Sequence, residues 1–146
     1  MKGGKKEGNM KGDREGSTAK KGEDERSLNM SIKRVYEKPS PDDGYRVLVD
    51  RLWPRGLTRE KAHIDEWLKE AAPSRELRRW YGHDAEKWPD FKKRYSEELG
   101  RNADLVDAFR KKALGRKITL LYSSKEERYN NAQALMEYLE SDGEKK

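Results

Sequence analysis

The sequence predicts an α/β domain: a small, mainly parallel sheet flanked by helices, with a helical insertion between the second and the last strand. Three observations predict it. The stretch YRVLVDRL carries Val47, Leu48 and Val49 in unbroken succession, the pattern of a strand buried on both faces. KITLLYSS repeats that pattern near the C-terminus. Between the two, apolar residues recur at helical spacing. Two strands joined by a long helical crossover are expected to run parallel.

Residues 1–30 hold eight Lys/Arg, six Asp/Glu and almost nothing apolar. Such a segment cannot bury enough surface to offset the entropy of ordering, so it reads as a disordered charged tail. Residues 31–141 read as a single α/β domain, and 142–146 as a charged C-terminal tail. SIKRVYE alternates as a strand does, and KPSPDDG is a loop on its prolines, aspartates and glycine. YRVLVDRL is the second strand. Thr58 then caps a helix in which Ile64, Trp67, Leu68 and Ala71 fall at i, i+3, i+4 and i+7. Pro73 ends it by disfavouring helical geometry at Ala72.

Ser74 caps a short helix whose Leu77, Trp80 and Tyr81 share a face, and Gly82 stops it. Trp88, Phe91, Tyr95 and Leu99 form a helical stripe that begins near Pro89, where a proline is tolerated, and ends at Gly100. Leu105, Val106, Phe109, Ala113 and Leu114 make a further helix closed by Gly115. After KITLLYSS, the stripe Ala132, Leu135, Met136 and Leu139 predicts a C-terminal helix.

Composition narrows the function. The 146 residues suffice for one ordinary domain. Apolar residues are only 32% and charged residues 42%. With one Gln and no Cys, this resembles the composition of heat-adapted proteins. The lack of cysteine excludes a disulfide framework, a thiolate zinc site and a cysteine nucleophile. No apolar run approaches the roughly 18 residues of a membrane span, and the basic N-terminus lacks the apolar core of a signal peptide. A cytoplasmic location is therefore expected, with no membrane partner. The net charge of +6 is spread through interspersed acids and bases, which describes a mixed surface more readily than a nucleic-acid stripe.

Two clusters carry candidate chemistry. In VLVDRLWPRG the buried run breaks into Asp50 and Arg51, then Trp53, Pro54, Arg55 and Gly56. Burying an unpaired charge costs several kcal/mol, so Asp50 and Arg51 belong near the end of the strand, each with a partner. Gly56 permits a turn that leaves Arg55 over the sheet edge. An ion pair between Asp50 and Arg51 that braces the sheet fits the same residues. In LLYSSKEERYNNA a strand runs into Ser123, Ser124 and Lys125 and then a helix, whose free N–H groups attract anions. A plain helix cap at Ser124 and a solvated Lys125 fit equally.

If the two strands are parallel, their C-terminal ends share one edge, where open α/β sheets bind ligands. Arg51, Arg55, Ser123, Ser124 and Lys125 then converge on one anion, with Asp50 to orient an arginine or act as a base. Trp53 stands at the same edge. Asn130 and Asn131, which open the last helix, fit that edge, and a solvated polar role fits them equally. The expected ligand is small and phosphate-bearing, a nucleotide or sugar phosphate being in that class. The alternative is a nucleic-acid or protein-binding module using the basic surface and Trp53. His63 and His83 lack a carboxylate triad, so no metal is expected. No GxGxxG, Walker or GxSxG motif occurs, so no cofactor or nucleophile is assigned.

Three separated segments also carry a resemblance. RVYEKPSPDDGYRVLVDRLWPRGLTRE, WLKEAAPSRELRRWYGHDAEKWPDFKKRYSEEL and ITLLYSSKEERYNNAQAL together resemble the YeaO-like branch of the domain of unknown function 488 family, over roughly residues 31–141. The resemblance implies an α/β fold and assigns no reaction. Its recurrent motifs fall on Asp50, Arg51, Pro54, Arg55 and Gly56, on Pro73, Ser74 and Leu77, and on Leu121, Lys125 and Asn130. Relatives often carry His where this chain has Tyr129, so the resemblance supplies no general base there. An alanine-containing version of the SSK segment is common, so it does not mark Ser123 and Ser124 as catalytic.

The composition predicts a melting midpoint above the mesophile range of about 45–65 °C. Calorimetry of the full chain checks this, and a midpoint inside that range contradicts it.

Overall fold

The computed structural model describes residues 27–144, so residues 1–26 of the expected tail lie outside the described residues. Four strands form one parallel sheet in the order β1-β4-β2-β3: β1 is Asn29–Arg34, β2 Tyr45–Leu48, β3 Glu66–Trp67 and β4 Lys117–Tyr122. The helices are α1 (Arg59–Ala62), α2 (Arg75–Tyr81), α3 (Trp88–Gly100), α4 (Ala103–Ala113) and α5 (Asn131–Glu144). The expected α/β class and the parallel pairing of the second and last strands are both observed. β1 begins at Asn29 and α5 runs on to Glu144.

Side-chain alternation along β2 and β4 builds two cores. Val47 and Val49, with Ile118, Leu120 and Tyr122, face a large core supplied by α2, α3, α4 and α5. Leu48 and Leu121 point the other way, into a small cluster with Val35, Ala62 and Ile64, covered by Trp53, Leu57 and Trp67. Burial on both faces explains the unbroken apolar run. Each of these fully buried aliphatic side chains contributes about 1.5–3 kcal/mol.

The stripe Trp88, Phe91, Tyr95 and Leu99 is buried on α3 as expected, with Pro89 in the first turn. Tyr95 donates its buried hydroxyl to the Ala71 carbonyl at 2.5 Å, and burial pushes its pKa far up. Gly100 is the last helical residue rather than a left-handed terminator; Arg101 closes the turn. Ser74 caps α2 through Leu77 N at 3.1 Å, and Gly82 ends it at φ 54°.

The helix expected from Thr58 to Ala71 is a correction. Only Arg59–Ala62 is α-helical, with a single 3-10 turn at Lys69–Ala71; His63 turns left-handed at φ 52°. The cause lies in β2. Its Arg46 is 3% exposed and donates to the carbonyls of Ala62 and His63, occupying acceptors that a longer helix would use. The open edge of β2 also needs a partner. Asp65 N reaches Arg46 O and Leu68 N reaches Leu48 O, both at 2.8 Å, so residues 66–67 become a fourth strand. Ile64, Leu68 and Ala71 are buried all the same, divided between the two cores.

The Arg46 charge is compensated by Asp43, which also takes Lys33 Nζ at 3.0 Å. Burial pushes the Asp43 carboxyl up, but hydrogen bonds from Lys33, the Ser40 backbone and Arg46 outweigh it and hold the pKa below the usual range. Gly44 follows at φ 68°, and a β-carbon there would stand 2.5 Å from the Lys117 carbonyl oxygen. Gly44→Ala should therefore cost about 2 kcal/mol or more in urea unfolding, from backbone strain and overlap with a neighbouring strand. A loss below about 0.5 kcal/mol would show that the loop relaxes.

Candidate functional site

β2 and β4 pair in parallel with Leu48 opposite Leu121, so both chains leave the sheet at one edge. Val49 N still donates to Leu121 O at 3.0 Å. Asp50 is the first residue past this ladder, and its carboxylate joins the two exits. Oδ2 accepts the Ser123 backbone N–H at 2.9 Å and the Ser123 hydroxyl at 2.7 Å. Oδ1 accepts Asn131 Nδ2 at 3.1 Å, and the same amide donates to Val49 O at 2.9 Å. The Asp50 carbonyl takes Trp67 Nε1 at 2.7 Å. One residue thus ties β2, β3, β4 and the start of α5 together.

Arg51 is not the partner of Asp50. Its guanidinium donates to the Pro73 and Ala72 carbonyls at 3.2 and 2.9 Å. Glu70 lies 4.0 Å away and the Arg51 side chain keeps 29% exposure. The ion pair bracing the sheet therefore does not form, and no carboxylate seals Arg51 in. From the end of β1, Arg34 Nε donates to the Ser123 and Ser124 carbonyls at 3.2 and 2.9 Å, pinning the loop that Asp50 also holds.

A cleft of about 870 Å³ opens over this edge. Asp50, Arg51, Trp53, Arg55, Ser123, Ser124, Lys125 and Asn130 all line it, and so does Asn131. Their roles differ. Trp53 donates Nε1 to Leu57 O at 2.6 Å and packs edge-on against Trp67, so most of its surface serves the smaller core. Asn130 is 1% exposed and caps α5, its Oδ1 accepting Gln133 N at 2.9 Å. Ser124 Oγ accepts Glu126 N at 2.9 Å within the loop.

The helix after β4 starts at Asn131, with residues 123–130 between. Lys125 and Ser124 therefore do not sit at a helix N-terminus, contrary to expectation. The Glu126 carboxylate accepts the N–H groups of Tyr129 and Arg128, which lower its pKa and give the loop its own turn.

Sequence reasoning missed four cationic residues on the wall: Arg34, Arg75, Arg78 and Arg79. The last three stand at i, i+3 and i+4 on α2, the face opposite Leu77 and Tyr81. That basic spacing was the available signal. Seven Lys and Arg side chains line the cleft against one carboxylate, Asp50. Among the described residues, the side chains of Arg55, Arg75, Arg78, Arg79 and Lys125 make no hydrogen bond or ion pair. Burial pushes Tyr81, also on the wall, up to about 12, so it keeps its proton and donates to the Tyr129 carbonyl.

The Ser123 hydroxyl points its proton at a carboxylate, and no imidazole is bonded to either group. No set of three or more His, Asp or Glu side chains among the described residues is placed to hold a metal, and no described helix is long and apolar enough to cross a membrane.

Residues 29–146 match the family described as "Inactive DUF488-N3 subclade". YeaO of Escherichia coli, an uncharacterized protein, is 40% identical over 118 residues, covering 78% of this chain and 99% of its own. The chain belongs to the DUF488 family, in its YeaO-like branch. Uncharacterized proteins of Mycobacterium tuberculosis and Mycobacterium bovis are each 44% identical over 93 residues, 64% of this chain and 77% of theirs. No solved structure matches. The YeaO-like resemblance expected from the three segments is therefore established.

Asp50→Ala removes an acceptor of three side-chain and backbone bonds and leaves their donors unpaired, so it should cost about 2–4 kcal/mol in chemical unfolding. Lys125→Ala, an exposed residue with no such bonds, should change stability by less than about 0.5 kcal/mol. Equal effects would show that Asp50 is not a clamp.

Proposed function

We propose that the cleft binds a small phosphate-bearing anion and that this chain acts by binding rather than by turnover. The observation that carries the reading is the unmatched charge: seven cationic side chains around one cleft, five of them without a partner among the described residues, and a single carboxylate, hydrogen-bonded by Ser123 and Asn131. Gathering like charges costs folding stability, and a bound anion relieves that cost. Arginine forks suit phosphate oxygens through paired hydrogen bonds. Three or four charge-assisted bonds, at roughly 1.5–3 kcal/mol each, sustain micromolar binding after association costs.

Binding without turnover is supported by the description of the matching family, which calls its subclade inactive.

A nucleic-acid module would also use the cationic wall. Its hallmark is a steep salt dependence set by many phosphates, whereas a pocket ligand depends on salt weakly.

Titration of the full chain with pyrophosphate, followed by calorimetry, tests the reading. Micromolar binding is expected, weakened at least tenfold by Arg55→Ala or Arg78→Ala with the melting temperature of the free protein held or raised. Arg51→Ala is the poorer probe, because it also strands the Ala72 and Pro73 carbonyls. No heat of binding to pyrophosphate at low salt overturns the reading.

A further inference from the structure

The two large hydrophobic side chains that stand exposed among the described residues are Tyr36, at 41%, and Leu52, at 59%. Both line the cationic cleft. Their segments meet at the cleft: the Tyr36 hydroxyl donates to the Arg55 carbonyl at 2.8 Å, so the chain leaving β1 touches the turn that follows Leu52. Arg34 lies 4.8 Å over the Tyr36 ring and fixes it further. Trp53, from the same turn, belongs to the smaller core on the second face of the sheet. The arginines of α2 come from the opposite face, where Leu77 and Tyr81 enter the large core. The cleft therefore has an apolar wall over one face of the sheet and a cationic wall over the other.

A bare inorganic anion would use the cationic wall alone and leave Tyr36 and Leu52 in water. The other large apolar side chains among the described residues are buried or half-buried against a core, so the exposure of these two beside the cationic cleft points to a ligand part that covers them. Resting on the anion-binding reading above, we infer that the ligand is a nucleotide: a flat base against Tyr36 and Leu52, and a phosphate group or groups reaching the Arg75, Arg78 and Arg79 side chains of α2. Base stacking on an aromatic side chain adds the equivalent of about ten- to hundredfold in affinity.

Calorimetric titrations of the full chain with pyrophosphate, ADP and a 5′-phosphorylated oligonucleotide test this. ADP should bind at least about tenfold more tightly than pyrophosphate, and Leu52→Ser should bring ADP affinity back towards that of pyrophosphate. Because Leu52 is largely exposed, the substitution should leave the fold intact, as a melting curve checks. Equal affinities for ADP and pyrophosphate overturn the nucleotide inference and leave anion binding standing. Binding of neither overturns both. An oligonucleotide held far more tightly than ADP, with a steep salt dependence, overturns the free nucleotide in favour of a nucleic-acid strand.

Discussion

The Asp50 carboxylate is the constraint on which the rest of this structure depends. Parallel pairing brings the ends of β2 and β4 to one edge, but the ladder stops at Val49 and Leu121. Beyond that point the chains would part, because 50–57 and 123–130 have no strand partner. Asp50 replaces the missing ladder bonds with three of its own, to Ser123 twice and to Asn131. Hydrogen bonds to an ionised acceptor are the stronger kind, about 1.5–3 kcal/mol each. Arg34 holds the same loop from β1. The floor of the cleft is thus preformed, and a ligand would not have to order it.

That arrangement decides the electrostatics above the floor. Were Asp50 paired with Arg51, the edge would hold a neutral couple. Instead Asp50 spends its acceptors on neutral donors, and Arg51 spends two of its donors on backbone carbonyls. The guanidinium charges of α2 and of the turn at Arg55 are left uncompensated around a cleft of about 870 Å³. The proposed role, holding an anion, rests on that uncompensated charge.

Much of this was legible in the sequence where the signal was strong and local. Val47–Leu48–Val49 and the run before Tyr122 announced strands buried on both faces. The stripe from Trp88 to Leu99 announced α3, and Ser74 announced the start of α2. The eight candidate residues share a cleft because parallel strands end together, which topology alone implies. What the sequence hid was set at long range. Residues 63–68 have helical apolar spacing, yet the donors of Arg46 end the helix at Ala62 and the free edge of β2 turns residues 66–67 into a strand.

Asp50 and Arg51 are neighbours of opposite charge, yet each finds its partner at the far side of the fold, at residues 123 and 131 for one and 72 and 73 for the other. Arg75, Arg78 and Arg79 have the spacing of an ordinary solvated helix face, and only the position of α2 beside the sheet edge brings them to the cleft. Ser124 and Asn130 are both good caps; Asn130 is the one that opens α5, as its place in the sequence suggests, and Ser124 caps only a turn within the eight-residue loop before it.

Backbone amide NMR of the full chain during addition of pyrophosphate tests the central claim most directly. The account predicts shift changes concentrated at Arg34, residues 51–55, 75–79 and 123–125, with the remaining amides of β1 and α4 unmoved. Changes centred instead on the separate hollow between Trp88, Glu126 and Glu137, or no changes at all, would contradict it.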